Sequence, residues 1–354
     1  MKITIEDLYN ENKNKSRELL LQFKNRNQEQ FNQIWDLISI LYSVSDTMRR
    51  LCSTKISFEI NNPVDEKNIE LVDRWHKKNI LFEALLRDYL EYVIPSITLL
   101  EDLNIKVSLA TLRRPLSDNL LYIEWLLADE NELMSNILNG DIRKIDLNFG
   151  RNSKYSIKDR KSIIKSAIEK IKIDDNILTK NSITVDFMYD VRYNSNVEYS
   201  LDKVWNRGVH LITTHHNYKV SNGELNFIFS TFENLVEHAE FIIPKIIIIL
   251  YYTICLSETI MDSIFKISEH KKNINSLIRD SILISQAQFR SKDINGIDIL
   301  EHSMKCKYGD ELFCCEKCGK NVLLTKQNLN DMYHKRVVIC GECKHQNKVN
   351  NIYL

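Results

Sequence analysis

Glycine occurs eight times and proline four times in 354 residues, and no two glycines stand closer than ten positions. Ordinary chains use about 7% glycine and 5% proline. With so few places to turn, most of this backbone must run in long helices. The same scarcity excludes chemistry. Dinucleotide-binding turns, phosphate-cradling P-loops and hydrolase nucleophile elbows all need closely spaced glycines, and none can be built here.

Apolar periodicity supports the helical reading. Phe31, Ile34, Trp35, Ile38, Leu41, Tyr42, Met48 and Leu51 recur at spacings of three and four, predicting an amphipathic helix. A second is expected from Asn68 to Leu100, with Leu71, Trp75, Phe82, Leu85 and Tyr89 on one stripe and Pro95 kinking or ending it. The segment KVSLATLRRPLSDNLLYIEWLLAD, residues 106–129, is a third helix, apolar except for charges that include Arg113, Arg114, Asp118 and Glu124. An isolated buried ion costs several kcal/mol, so such charges should be paired. Arg114 and Asp118, four apart, would be surface neighbours on an α-helix. Alternatively, Arg113 or Arg114 contacts an anion in a cleft while Asp118 or Glu124 orients it.

Gly140 and Gly150 interrupt a stretch of little periodicity, which places a boundary between helical lobes at 1–145 and 146–300. Residues 151–172 then carry eight Lys or Arg against Asp159 and Glu169. The basic helix at 158–172 can follow a phosphate backbone or simply face water. Alternation around Val185, Phe187, Tyr189 and Val191 suggests a short strand or an ordered connection. Next comes a polar cluster with Arg207, His210, His215 and His216, ahead of a helix that Ser221 or Asn222 would cap. Histidine is the common general base near neutral pH, so Arg207, His210 and His215 could share a cleft with Arg113, Arg114 and Asp118. The spacing departs from the Arg-x4–6-His pattern of helical HEPN ribonucleases, since His210 follows Arg207 after two residues and His215 after seven.

Residues 246–257 form an uncharged run of 12, short of the ~20 a bilayer needs. Pro244 and Lys245 interrupt it upstream, so a buried core helix is expected and no membrane association. The N-terminus is charged every few residues and lacks a secretory pattern, which suggests a cytoplasmic protein. The 48 basic and 48 acidic side chains cancel, so any nucleic-acid surface must be local.

Near the C-terminus, Cys315-x-x-Cys318 and Cys340-x-x-Cys343 are separated by 21 residues. Four thiolates close a tetrahedral shell around Zn²⁺ at Zn–S of about 2.3 Å. Leu312-Phe313, Val322-Leu323-Leu324 and Val337-Val338-Ile339 are short strand material around the pairs, and Gly319 and Gly341 suit knuckle turns. Over residues 312–354 the pattern resembles the zinc-ribbon family. That resemblance implies ligands Cys315, Cys318, Cys340 and Cys343, with Cys314, His334 or His345 near enough to replace one. Four cysteines leave no open coordination position, so the Zn²⁺ would be structural. A redox role for a Cys-x-x-Cys pair needs a βαβ setting that a helical chain lacks.

Zinc ribbons commonly grip nucleic acid, but residues 301–354 hold nine Lys or Arg against six Asp or Glu, a net of +3 that a zinc tetrathiolate reduces to +1. The expected fold is mainly α, a multi-helix body in two lobes with a small C-terminal β zinc ribbon at 301–354. The expected function is an intracellular binding or regulatory module. It would contact nucleic acid through Lys320, Lys335, Arg336 and the 158–172 helix, or a protein partner. The alternative is a hydrolase or nuclease built on the arginine and histidine cleft.

Overall fold

The computed structural model describes most of residues 5–53, 66–138, 157–171, 183–201, 218–227, 232–282 and 301–348. The fold is mainly α, with small two-stranded sheets. In chain order the helices are α1 (Ile5–Ser53), α2 (Glu66–Glu101), α3 (Ile105–Arg113), α4 (Leu120–Ala128), α5 (Glu130–Leu138), α6 (Ile157–Ile171), α7 (Val185–Tyr193) and α8 (Phe232–Phe265). A hairpin of β1 (Tyr218–Ser221) and β2 (Glu224–Phe227) precedes α8. Two compact units divide the chain discontinuously. One comprises Met1–Ile34, Leu85–Ala167 and Val185–Leu250, and the other Trp35–Ala84, Ile168–Thr184 and Tyr251–Leu354. The boundaries expected near residues 145 and 300 lie outside the described residues.

α1 starts well before the apolar stripe at Phe31, because its charged N-terminal half still extends the same seam. Phe23, Asn27, Phe31, Ile34, Ile38, Leu41 and Met48 are all buried along it. Asn27, a polar member of the seam, donates from Nδ2 to the Phe23 carbonyl at 3.0 Å and to Glu240 Oε1 at 3.3 Å. A buried amide satisfied in this way does not cost the seam its stability.

Pro95 does not end α2, which runs on to Glu101. Leu103, in the left-handed region at φ 56°, then turns the chain back into α3. Hydroxyls connect the two helices where they pass: Ser96 Oγ lies 2.5 Å from Thr111 Oγ1, and Ser108 Oγ donates to the Ser96 carbonyl at 2.7 Å. These small side chains let the two backbones approach closely.

Arg114–Asn119 is a π-helical segment, not the α-helix the sequence predicts, and the Leu120 N–H closes onto the Pro115 carbonyl five residues back. Arg114 and Asp118, the expected surface pair, both lie on this segment, and Arg114 reaches across to α2. It sits 5.0 Å over the Tyr92 ring, with Nη1 3.3 Å from the Tyr92 hydroxyl and Nη2 3.4 Å from Asp88 Oδ2. Asn119 Nδ2 donates to that same carboxylate oxygen at 2.6 Å.

The alternating segment near 185–191 is helix α7, not a strand. Its buried residues Met188, Tyr189, Val191 and Arg192 fall at helical spacing. Arg192 had no role in the sequence reading, yet its guanidinium is fully buried against the equally buried Glu124 of α4. The pair is bidentate, at 2.6 and 3.0 Å, and Arg192 Nε also donates to the Met188 carbonyl at 2.8 Å. Glu124 is therefore committed to internal packing. Tyr193 donates its hydroxyl to the Ser117 carbonyl of the π-helical segment at 2.6 Å, and burial pushes that phenol far above its usual pKa.

Ser221, one of the two expected caps, instead ends β1, and Asn222 lies outside the described residues. The signal that would have found the hairpin is Asn222-Gly223, the dipeptide favoured by tight hairpin turns. α8 runs unbroken through Pro244, as the core helix expected here. Lys245 keeps its charge out of the core by folding back, donating to the Phe241 carbonyl at 2.6 Å over the Phe241 ring. By length and composition Val236–Ile264 could cross a membrane, but 72% of its most apolar window is buried inside the protein. That is the pattern of a core helix.

Candidate metal centre

The C-terminal segment forms two small hairpins joined by a helix. β3 (Glu311–Cys314) pairs antiparallel with β4 (Asn321–Leu323), α9 (Lys326–Lys335) crosses between, and β5 (Val337–Ile339) pairs antiparallel with β6 (Gln346–Lys348). The Thr325 hydroxyl caps α9 by accepting the Asn328 N–H at 3.2 Å. Val322, Leu324, Leu329, Met332 and Val338 form a core too small to hold such a fold alone.

Each Cys-x-x-Cys pair sits on a turn of identical construction. In the first, the Cys315 N–H donates to the Lys320 carbonyl at 2.8 Å and the Gly319 N–H to the Cys315 carbonyl at 2.9 Å. In the second, the Cys340 N–H donates to the His345 carbonyl at 3.0 Å and the Lys344 N–H to the Cys340 carbonyl at 3.1 Å. The residue after the second cysteine must be left-handed in both, at φ 68° for Gly319 and 57° for Lys344. Gly341, expected as a turn glycine, is not in that region. Lys344→Gly should therefore stabilise the ribbon by about 0.5–1 kcal/mol, the relieved strain less the chain entropy of glycine. Thermal denaturation of the metal-loaded protein checks it.

These turns aim four sulfurs at one point. The Sγ atoms of Cys315, Cys318, Cys340 and Cys343 lie within 4.8 Å of one another. Cys315–Cys343 is 3.6 Å and Cys318–Cys340 is 3.7 Å. A tetrahedral ion with metal–sulfur bonds of about 2.3 Å holds its sulfurs about 3.8 Å apart, so the spacing fits. It is far too long for a disulfide, at about 2.05 Å.

The electrostatics agree. Burial raises the Cys315 thiol, but the Cys318 and Lys317 backbone N–H groups and the neighbouring thiols outweigh it and bring Cys315 down to about 6. At Cys318 the Lys320 N–H favours the thiolate, yet burial and the other three thiols together push it up to about 12. Without a cation the cluster accepts a first negative charge and resists the next. A divalent metal removes that resistance and expels the remaining protons.

Two of the alternative ligands do not join the cluster. Cys314 is exposed and donates its thiol to Asn321 Oδ1 at 3.1 Å, while His345 contributes only its backbone carbonyl to the second turn. The His334 side chain lies outside the described residues.

Two buried asparagines, invisible in the cysteine pattern, link the hairpins. Asn347 Oδ1 accepts the Glu316 N–H of the first turn at 3.0 Å, while its Nδ2 donates to the Val338 and His345 carbonyls at 3.3 and 3.4 Å. Asn328 Nδ2 donates to the Leu323 carbonyl at 2.9 Å, and its Oδ1 accepts the Ile339 N–H at 3.2 Å.

Of the predicted cationic contacts, Lys320 is exposed, but Lys335 donates to the buried carboxylate of Asp331 at 2.6 Å. The Arg336 side chain lies outside the described residues. On the basic helix, Arg160 sits 4.9 Å over the Tyr193 ring. Lys161 sits 4.8 Å over Tyr189 and donates to Asp186 at 2.9 Å, a bond that raises its pKa. Arg113 and Arg114 are exposed and Asp118 is half-buried. Arg207, His210, His215 and His216, the other half of the expected cleft, lie outside the described residues. Compared with protein-family models, curated proteins and solved structures, the chain matches none, and the four-cysteine centre stands on its own geometry.

Proposed function

We propose that the four cysteines hold one structural Zn²⁺ and that the ribbon folded around it is a recognition module for another macromolecule. The observation that carries this is the convergence of four sulfurs at tetrahedral spacing on two turns of identical hydrogen bonding. Softness of the ligand set favours zinc among the common divalent ions, and the closed shell leaves no position for substrate. Zinc would supply the energy to fold a segment whose apolar core is a handful of residues.

Nucleic acid is the partner we favour, through Lys320 with the exposed Lys317, Lys344 and Lys348. Pairing of Lys335 with Asp331 and of Lys161 with Asp186, and the seat of Arg160 over the Tyr193 ring, limit the contact to few phosphates. The expected signature is weak binding with a shallow salt dependence, a log–log slope of about −1 to −2. Metal content measured alongside binding to single- and double-stranded DNA and RNA across a salt series tests both parts. Zinc near one per chain without nucleic-acid binding at low salt would overturn this partner and point to a protein. In that case the exposed Leu323 and Ile339 offer apolar contact.

The hydrolase or nuclease reading rests on one specific observation. Exposed Arg113 and Arg114 stand at the start of a π-helical segment, a distortion that often marks functional sites. Nuclease activity lost on Arg114→Ala but retained on Cys315→Ser would favour it.

A further inference from the structure

Resting on the metal-centre reading, we infer that Asn347 is the positioning residue that makes the two cysteine pairs converge, whereas Asn328 performs only a folding task. The two amides link the same two hairpins at different places. Asn328 joins the last residue of β4 to the last residue of β5, through the Leu323 carbonyl and the Ile339 N–H. Asn347 joins the turns themselves. Its oxygen takes the N–H of Glu316, the residue directly after Cys315, and its nitrogen reaches the His345 carbonyl, which also receives the Cys340 N–H. The other Nδ2 contact, to the Val338 carbonyl, anchors the amide two residues before Cys340.

Burial makes this arrangement consequential. Asn347 is 1% exposed, so water cannot replace its bonds when the amide is removed. Each turn is rigid within itself through its own backbone bonds, but those bonds say nothing about the other turn. The position of Cys315 and Cys318 relative to Cys340 and Cys343 needs a tie between the turns, and the Asn347 amide supplies one beside the sulfurs. Groups that orient metal ligands in this way typically change metal affinity about 10–100-fold when lost.

The test loads full-length protein with Co²⁺ or Zn²⁺ and compares Asn347→Ala with Asn328→Ala. Asn347→Ala should alter the visible ligand-field bands of the Co²⁺ protein and speed Zn²⁺ transfer to a chromogenic chelator about 10–100-fold, with far-ultraviolet circular dichroism unchanged. Asn328→Ala should lower the thermal midpoint while leaving the Co²⁺ bands in place. Asn347→Gln, which keeps the amide but displaces it by one methylene, separates positioning from the mere presence of a polar group, and should give an intermediate release rate. Unchanged bands and release rate in Asn347→Ala, or identical changes in both alanine variants, would overturn the inference. Failure of the unsubstituted protein to take up Co²⁺ or Zn²⁺ would instead sink the metal centre itself.

Discussion

Arg192→Leu is expected to destabilise its unit by about 3–5 kcal/mol, among the largest effects of any single substitution in the described residues. The side chain and its partner Glu124 are both fully buried, with two short bonds between them. Removing the guanidinium leaves a carboxylate with no water to replace its two lost bonds. The protein must then protonate Glu124 or admit solvent into a core that includes Trp125, Leu121 and Met188. A buried ion pair is nonetheless weak evidence of net stabilisation, because both charges lost their hydration on folding. The double variant Glu124→Leu with Arg192→Met should therefore recover most of the loss, to within about 1–2 kcal/mol of the parent. Chemical denaturation of the parent, the two single variants and the double variant decides the matter. Losses that simply add would mean that the two residues act independently.

Metal removal should have a comparable effect confined to the C-terminus. Cys315→Ser, or chelation of the parent, should abolish zinc binding and unfold the ribbon, since structural zinc contributes on the order of 10 kcal/mol to small domains of this kind. Helical circular dichroism should fall little, because within residues 311–348 only α9 is helical while α1, α2 and α8 dominate the signal. Proteolysis should then cut within 311–348 and spare the long helices. A collapse of the whole helical signal would show that the ribbon is not a separable unit.

How much of this was legible beforehand depended on the range of the interactions involved. Cysteine spacing predicts the four-cysteine cluster because the knuckle is local: six consecutive residues close their own turn. Helices were legible as existence and not as extent. The α1 seam continues through Phe23 and Asn27 among charges that mask its period, and Pro244 lies inside a helix whose burial outweighs the missing N–H. α7 differs from the expected strand because its alternating pattern fits a strand as well as a helix over so few positions. The π-helical segment carries no sequence period at all.

The sequence by itself determined that the chain is mainly helical, that it has no glycine-rich phosphate site, and that four cysteines gather at metal-binding distance near residue 330. Scarcity of breakers and the two Cys-x-x-Cys pairs act through short-range geometry, so they need no knowledge of distant partners. Tertiary structure decided which charges are spent. It brought Arg114 to Asp88 across 26 positions and joined Glu124 to Arg192 across 68. It also placed Asn347 against Glu316, where the two knuckles meet. Buried polar groups take whatever partner the packing brings within hydrogen-bond reach, because leaving one unpaired costs about 1–3 kcal/mol. That choice is made across the fold and leaves no trace in the spacing of residues along the chain.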